Sequence, residues 1–247
     1  LTGSYRFKKS AQKGIDFLVR AQNPEKGWRY TPRCGDNDTS VTGWAIMALK
    51  SARISKLNVP DEAFLGAINW LDGVTEESYG IAGYTGRGVG SSCVPNINDD
   101  YKLYPVMTAV AVTSRLFIQS RTKSPAVNRF VRLGVMELIR AENLPEWNPV
   151  KKTVDYYYWY YGTLATYMFD GPRGPVWKKW GPAVERALLR GQCGKGTGCA
   201  YGSWPANTAA GKGKWAIEGG RVYVTAINVL TLEVYYRYTN VFGGGRQ

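Results

Sequence analysis

The sequence predicts an all-α protein, an α/α toroid or an arc of four helical hairpins with inner and outer helix layers. Three patterns point there. Eight segments carry apolar residues at helical spacing. Alternate segments are amphipathic and apolar nearly all round, and the links between them alternate between short and long. The hairpins span about 5–55, 61–119, 124–169 and 174–238 of a single domain, residues 1–247.

An outer helix needs one apolar face, whereas an inner helix is covered on two. In residues 5–21, Ala11, Ile15, Leu18 and Val19 recur among charges, which marks an outer helix. Residues 39–55 place Val41, Trp44, Ala45, Ala48 and Leu49 on one side and Ile46 and Met47 on another, so this helix is inner. Residues 61–73 are amphipathic, with Pro60 and Asp61 as the start signal. Residues 105–119 are apolar nearly all round. Residues 124–141 return to an amphipathic pattern through Val127, Phe130, Val131, Gly134 and Leu138. Residues 155–169 are apolar and aromatic, residues 174–190 are amphipathic through Trp177, Val184, Ala187 and Leu188, and residues 221–238 are mostly apolar.

Links from an inner to an outer helix are short and contain Pro60, Pro125, or Pro172 with Pro175. Links from an outer to an inner helix are long, at about 22–38, 74–104, 142–154 and 191–220, and rich in Gly, Trp, Tyr and Asn. Antiparallel hairpins put all four long links at one end, beside the N-termini of the inner helices. Loops this long in a compact domain are usually functional or disordered, and their recurrence at equivalent places favours function.

Composition bounds that function. The net charge of +13 favours an anionic glycan, an anionic lipid headgroup or an acidic partner protein. Nucleic acid is a distant alternative, because no recognition motif is present. The chain holds no histidine, which excludes histidine acid–base catalysis, histidine triads and histidine-ligated metals. No apolar run is long enough to span a membrane. The chain begins at Leu1 without Met, so a processed chain is expected.

Lys13-Gly14, Leu18, Gln22 and Gly27-Trp28 resemble the QW repeat of squalene and oxidosqualene cyclases, with the Gly directly against the Trp instead of one residue earlier. A stretched copy runs Leu188, Gln192, Gly202-Ser203-Trp204, and a degenerate one has Leu138, Glu142 and Trp147. Residues 36–52, 155–169 and 219–238 are similar to bacterial prenyltransferase/squalene-oxidase-repeat proteins, many of them exported. The resemblance implies a toroid of hairpins in which the Gln caps a helix end and the Trp stacks on it. It also implies where a cyclase acid would sit, the middle Asp of an Asp-x-Asp-Asp-Thr motif. Here Asp38-Thr39 matches the end of that motif and Asn37 holds the donor position, so the cyclase reaction does not carry over. The zinc site of protein prenyltransferases needs a histidine that the chain lacks. No cofactor or metal is implied.

Asp36 and Asp38 precede the first inner helix, Asp99, Asp100 and Tyr101 the second, Asp155 and Tyr156 the third, and Arg221 with Tyr223 the fourth. Acids at these places read either as N-caps or, with tyrosine, as a glycan-active site. If the protein is an enzyme, Asp36, Asp38, Asp100 and Asp155 are its candidate catalytic groups. The candidate binding residues are Trp28, Arg29, Tyr84, Tyr101, Tyr156, Trp159, Tyr160, Trp204, Arg221 and Tyr223. Helical spacing directs Tyr156, Tyr160 and Trp159 toward the centre and Tyr157 and Tyr161 toward the outer layer, most of them as packing. The runs at 86–90 and 194–198 lack a full phosphate-loop pattern and read as turns.

All four cysteines lie in the long loops. Of the three possible pairings, Cys193–Cys199 within one loop and Cys34–Cys93 between neighbouring loops are expected. An all-cysteine zinc site is the alternative, though its paired spacings are absent. Disulfides imply an exported, periplasmic or extracellular protein. The expected function is therefore an exported, non-catalytic binding or scaffold module. Its aromatic, basic loop face would serve a partner subunit or larger assembly, a glycan or a lipid-like ligand. The rival is a divergent terpene-cyclase-like enzyme or polysaccharide hydrolase or lyase.

Overall fold

The computed structural model describes residues 5–89, 105–118, 125–148, 150, 154–206 and 214–234. Among them lie eight α-helices: α1 (Lys8–Ala21), α2 (Thr39–Ile54), α3 (Asp61–Val74), α4 (Val106–Ile118), α5 (Pro125–Leu138), α6 (Tyr156–Asp170), α7 (Pro175–Gly191) and α8 (Lys214–Leu232). The described residues form no strand, only an isolated antiparallel bridge between Thr75 and Ala82.

The inner helices form one row in which α2 packs on α4, α4 on α6 and α6 on α8. The outer helices cover this row: α1 lies on α2, α3 on α2 and α4, α5 on α4 and α6, and α7 on α6. This is a helical arc. Its middle is as enclosed as the apolar sequence demands: every residue of α4 except Leu116 is buried, and so is α6 from Tyr156 to Tyr167 except Tyr157. The two ends differ from the expectation that every inner helix is covered on both sides. Trp44 of α2 keeps 44% of its surface exposed, and Val222 of α8 keeps 84%, with Ala226 and Val229 exposed along the same face. An inner helix at the end of a row has only one neighbour in the row.

Helix ends follow their local chemistry. The Asp38 carboxylate accepts the Val41 N–H at 2.7 Å, and the Asp155 carboxylate accepts the Tyr158 N–H at 3.0 Å, so both aspartates are N-caps. Helix α5 stops at Leu138, short of the expected 141, because Arg140 turns extended and the Asn143 side chain donates to the Glu137 carbonyl. Helix α8 starts earlier than expected but breaks at Gly220, whose φ of 67° is left-handed, so its inner segment begins at Arg221.

The long loops share one anchor. The Trp28 N–H donates to Thr42 Oγ1 at 3.1 Å, the Ala82 N–H to Thr108 Oγ1 at 3.1 Å, and the Trp204 N–H to Thr225 Oγ1 at 3.4 Å. Each threonine sits near the start of an inner helix. Two tryptophans add a second tie: Trp28 Nε1 donates to the Leu18 carbonyl, and Trp204 Nε1 to the Leu188 carbonyl, both at 2.8 Å. Gln22 and Gln192 stand at the C-caps of α1 and α7, and each donates to a carbonyl of its own loop, at Lys26 and Gly202. Gln22 also reaches the Ala63 carbonyl in α3. Gly27 stands against Trp28 for a steric reason, since a Cβ there would lie 2.2 Å from Thr42 Oγ1. The third repeat departs from this scheme. Four residues beyond its cap, where Thr42 follows Asp38, it carries Trp159 after Asp155.

One buried cation ties three helices. Arg115 of α4 pairs with Asp72 of α3, donates to Thr75 Oγ1 at 3.0 Å and lies 4.8 Å from the Phe130 ring centre of α5.

Replacing Thr42 with Val keeps the shape and strands the buried Trp28 N–H. Urea unfolding is expected to show a loss of about 1–3 kcal/mol. Thr166→Val is the contrast: that hydroxyl only shares the Gly162 carbonyl within its own helix, so about 0.5 kcal/mol or less is expected.

Candidate functional site

The first two long loops are welded together by polar contacts. Asn23 organises the first: its Nδ2 donates to the Asp36 carbonyl at 2.6 Å and to Asn37 Oδ1 at 3.0 Å, and its Oδ1 accepts the Gly35 N–H at 2.9 Å. The Thr39 hydroxyl donates to the Gly83 carbonyl at 2.7 Å, and the Tyr30 and Tyr84 hydroxyls meet at 2.6 Å. Asn37 is buried with its amide turned to Asn23 and Gly35. Asp36 is exposed, 3.8 Å from Arg29.

Asp38 is fully buried, and its second oxygen receives no hydrogen bond. Burial raises its pKa above the ordinary value, while the Val41 N–H, Arg29 and Tyr84 oppose the rise.

The centre of the arc is filled with rings. Ser40 Oγ lies 2.8 Å from the Tyr157 hydroxyl, and Trp44 stacks on Tyr160 at 6.4 Å and meets Tyr161 edge-on at 5.7 Å. Helices α2 and α6 thus touch directly through their side chains. This corrects the expected facing of the tyrosine run. Tyr157 and Tyr161 point to α2, Tyr158 packs edge-on against Trp180 of α7 at 5.5 Å, and Tyr156 and Trp159 turn toward the loop end, with Tyr156 beside Trp147. Gly162 sets the rotation: a Cβ there would lie 2.3 Å from the Trp180 ring, so the 158–162 stripe must face α7. Burial pushes the Tyr157 hydroxyl up to about 12, and holds those of Tyr158 and Tyr161 well above their ordinary value. They are neutral hydroxyls at physiological pH.

A cavity of about 290 Å³ opens at the loop end of the third repeat, where Trp159 replaces the anchoring threonine. Asp155, Tyr158 and Trp159 line it from α6, Glu142 and Glu146 from the preceding loop, and Arg186 from α7. Tyr158 is fixed there by its hydroxyl, which donates to the Asn143 carbonyl at 2.9 Å. The cavity thus offers carboxylates and one guanidinium, with the buried Trp159 in its wall. Among the described residues, no group of three or more Cys, Asp or Glu side chains is placed to hold a metal ion.

Among the described residues, Asp155 and Trp159 are the only sequence-derived candidates that line this cavity. Trp28, Tyr84, Tyr156, Tyr160 and Trp204 are buried, and the indole N–H groups of Trp28 and Trp204 are used within the fold. Tyr223 is half-buried. Arg221 is exposed, donating to Ser203 Oγ at 2.8 Å and to Cys193 Sγ at 3.4 Å. Asp99, Asp100, Tyr101 and Cys93 lie outside the described residues. The sequence reading missed Trp44, Glu142, Glu146 and Arg186 as site residues. Only long-range packing brings Arg186 to the 142–146 loop.

The expected Cys193–Cys199 bond is not formed in this structure, where both are free thiols, as is Cys34. The expected Cys34–Cys93 bond involves Cys93, which lies outside the described residues. The Cys193 backbone is paired with Gly202 and Ser203, while Cys199 sits exposed in the short 3₁₀ turn Gly198–Ala200.

The raised pKa of Asp38 means the folded state favours its protonated form. Its contribution to stability is present below the ordinary value of 3.8 and is lost as pH rises through the raised folded value. Asp38→Asn keeps an acceptor for the Val41 N–H and removes this titration. The stability of the parent relative to the variant should fall as pH rises above 3.8, read by urea unfolding at each pH. A flat difference would refute the assignment. No family model matches the chain, and no curated protein matches it.

Proposed function

We propose that the chain is a non-catalytic binding module of squalene-cyclase-like repeats, with its ligand seat in the cavity beside Asp155. One observation carries this reading: the two buried carboxylates among the described catalytic candidates, Asp38 and Asp155, are both N-caps. One oxygen of each carboxylate is committed as an acceptor to the helix it starts, which gives both aspartates a structural role. The contact of α2 with α6 supports the same reading, because those rings stand where a cyclase needs an open, dry hollow.

The cavity suits a compact ligand, since 290 Å³ is near the lower end of small-molecule sites. Glu142 and Glu146 at the cavity favour a cationic group, and Arg186 accommodates an anionic substituent on the same molecule. A small zwitterion or amine is thus favoured over the anionic polymer that net charge alone suggests. Export, and a partner subunit held on the loop face, belong to the wider scaffold reading.

Ligand-observed NMR with small amines, amino acids and size-matched carboxylates tests this. Amines and zwitterions should bind, and Glu142→Gln should weaken them roughly tenfold, the value of one charge-assisted contact. Turnover of squalene or of an acidic polysaccharide that is abolished by Asp155→Asn would replace this reading with the enzymatic one.

A further inference from the structure

The N-terminal segment carries a second surface, remote in kind from the cavity. Residues 5–21 hold five cations (Arg6, Lys8, Lys9, Lys13 and Arg20) and one carboxylate, Asp16. Helix α1 is the least embedded of the outer helices whose side chains are described throughout, with Ile15 its sole fully buried residue. Lys9, Lys13, Phe17 and Arg20 follow one another at steps of four, four and three, which places them in one stripe, and all four are exposed. Arg33 extends the stripe, its Nε donating to the Arg20 carbonyl at 2.9 Å.

The lone carboxylate is occupied. Gln12 Nε2 donates to Asp16 Oδ1 at 2.8 Å, and the same amide clamps α1 to the α2–α3 turn through the Asn58 carbonyl and N–H, at 2.9 and 2.8 Å. A shallow depression is framed by Tyr5, Lys8, Lys9 and Lys13, with the Lys8 ammonium 5.4 Å from the Tyr5 ring centre. Large aromatics stand in water around the cations: Tyr5 is 85% exposed, Phe7 65% and Phe17 56%. Phenylalanine gains nothing from that exposure and has no polar edge to offer a groove of nucleic acid.

We infer that this face of α1 docks on an anionic lipid bilayer. The helix lies in the plane of the surface, Lys9, Lys13, Arg20 and Arg33 pair with headgroup phosphates and carboxylates, and Phe17 enters the boundary between headgroups and acyl chains. The match is one of charge and of depth, because a basic stripe about 17 Å long carries the bulky apolar Phe17 along it. No helix among the described residues is long and apolar enough to cross a membrane, so the contact is peripheral.

Vesicle flotation with the full chain tests this. The probes are phosphatidylcholine vesicles and vesicles of phosphatidylcholine with about one-third phosphatidylserine, at low and at high salt. The chain should float with the serine-containing vesicles at low salt and with neither kind at high salt. Each lost cation should weaken partitioning about fivefold, so Lys9→Gln with Lys13→Gln should cost roughly twenty-five-fold. Lys178→Gln with Lys179→Gln, exposed on α7, should cost little. Phe17→Ser should weaken binding while leaving its salt dependence intact. All these side chains are on the surface, so circular dichroism of the variants should match the parent. Absence of flotation overturns the proposal, as does an equal loss from the α7 pair. An unchanged Phe17→Ser reduces the surface to general anion binding, and tighter binding to duplex DNA than to the vesicles assigns it to nucleic acid. Either result also overturns the proposal.

Discussion

The bond between a loop N–H and a threonine hydroxyl near the start of an inner helix is what the architecture depends on. It occurs at Thr42, Thr108 and Thr225. A long polar loop crossing the end of an apolar helix row has a donor it must satisfy out of reach of water, and the hydroxyl satisfies it without breaking the helix ladder. The tryptophan ties at Leu18 and Leu188 then fix the other side of the loop to the outer helix that precedes it. Between them, loop, outer helix and inner helix are held as one unit, and the row of units follows from stacking apolar faces.

The third repeat shows what happens when that bond is given up. Trp159 brings an indole where a hydroxyl stands elsewhere, and a cavity opens between its loop, α6 and α7. In the binding reading proposed above, the surrounding carboxylates hold a ligand. Asp155 is bound to its helix, the tyrosines of the α6 run are neutral hydroxyls in packed rings, and the chain has no histidine to carry a proton. The site is thus acidic on a strongly basic protein, while the cations gather elsewhere, most densely along α1.

Much of the fold was legible in the sequence because helix signals are local. Apolar periodicity, Pro60 at the start of α3 and the aspartate caps each act within a few residues, and the observed helices begin and end close to the positions those signals predict. The faces of α6 were not legible, because its apolar residues surround the helix and give periodicity nothing to choose between. A contact with Gly162, eighteen residues before Trp180 in the chain, makes the choice instead. The aromatic loop residues misled for a related reason. Trp28 and Trp204 lie in polar, glycine-rich surroundings that read as surface, yet each is drawn inside by a carbonyl on the preceding helix. The cavity needed Arg186 to meet the 142–146 loop, and no short motif carries that information.

The threonine anchor also separates two kinds of inheritance. One hydroxyl and one backbone N–H ask little of loop sequence beyond room beside the threonine, as Gly27 gives at Thr42, since every residue but proline supplies the N–H. The same anchor accordingly holds loops as different as Gln22–Asp38 and the glycine-rich segment that ends at Trp204. Insertions, deletions and whole loop exchanges between such anchors leave the packed helices untouched. A lineage built on this arc is free to rewrite its working face one loop at a time, while its core changes slowly or not at all.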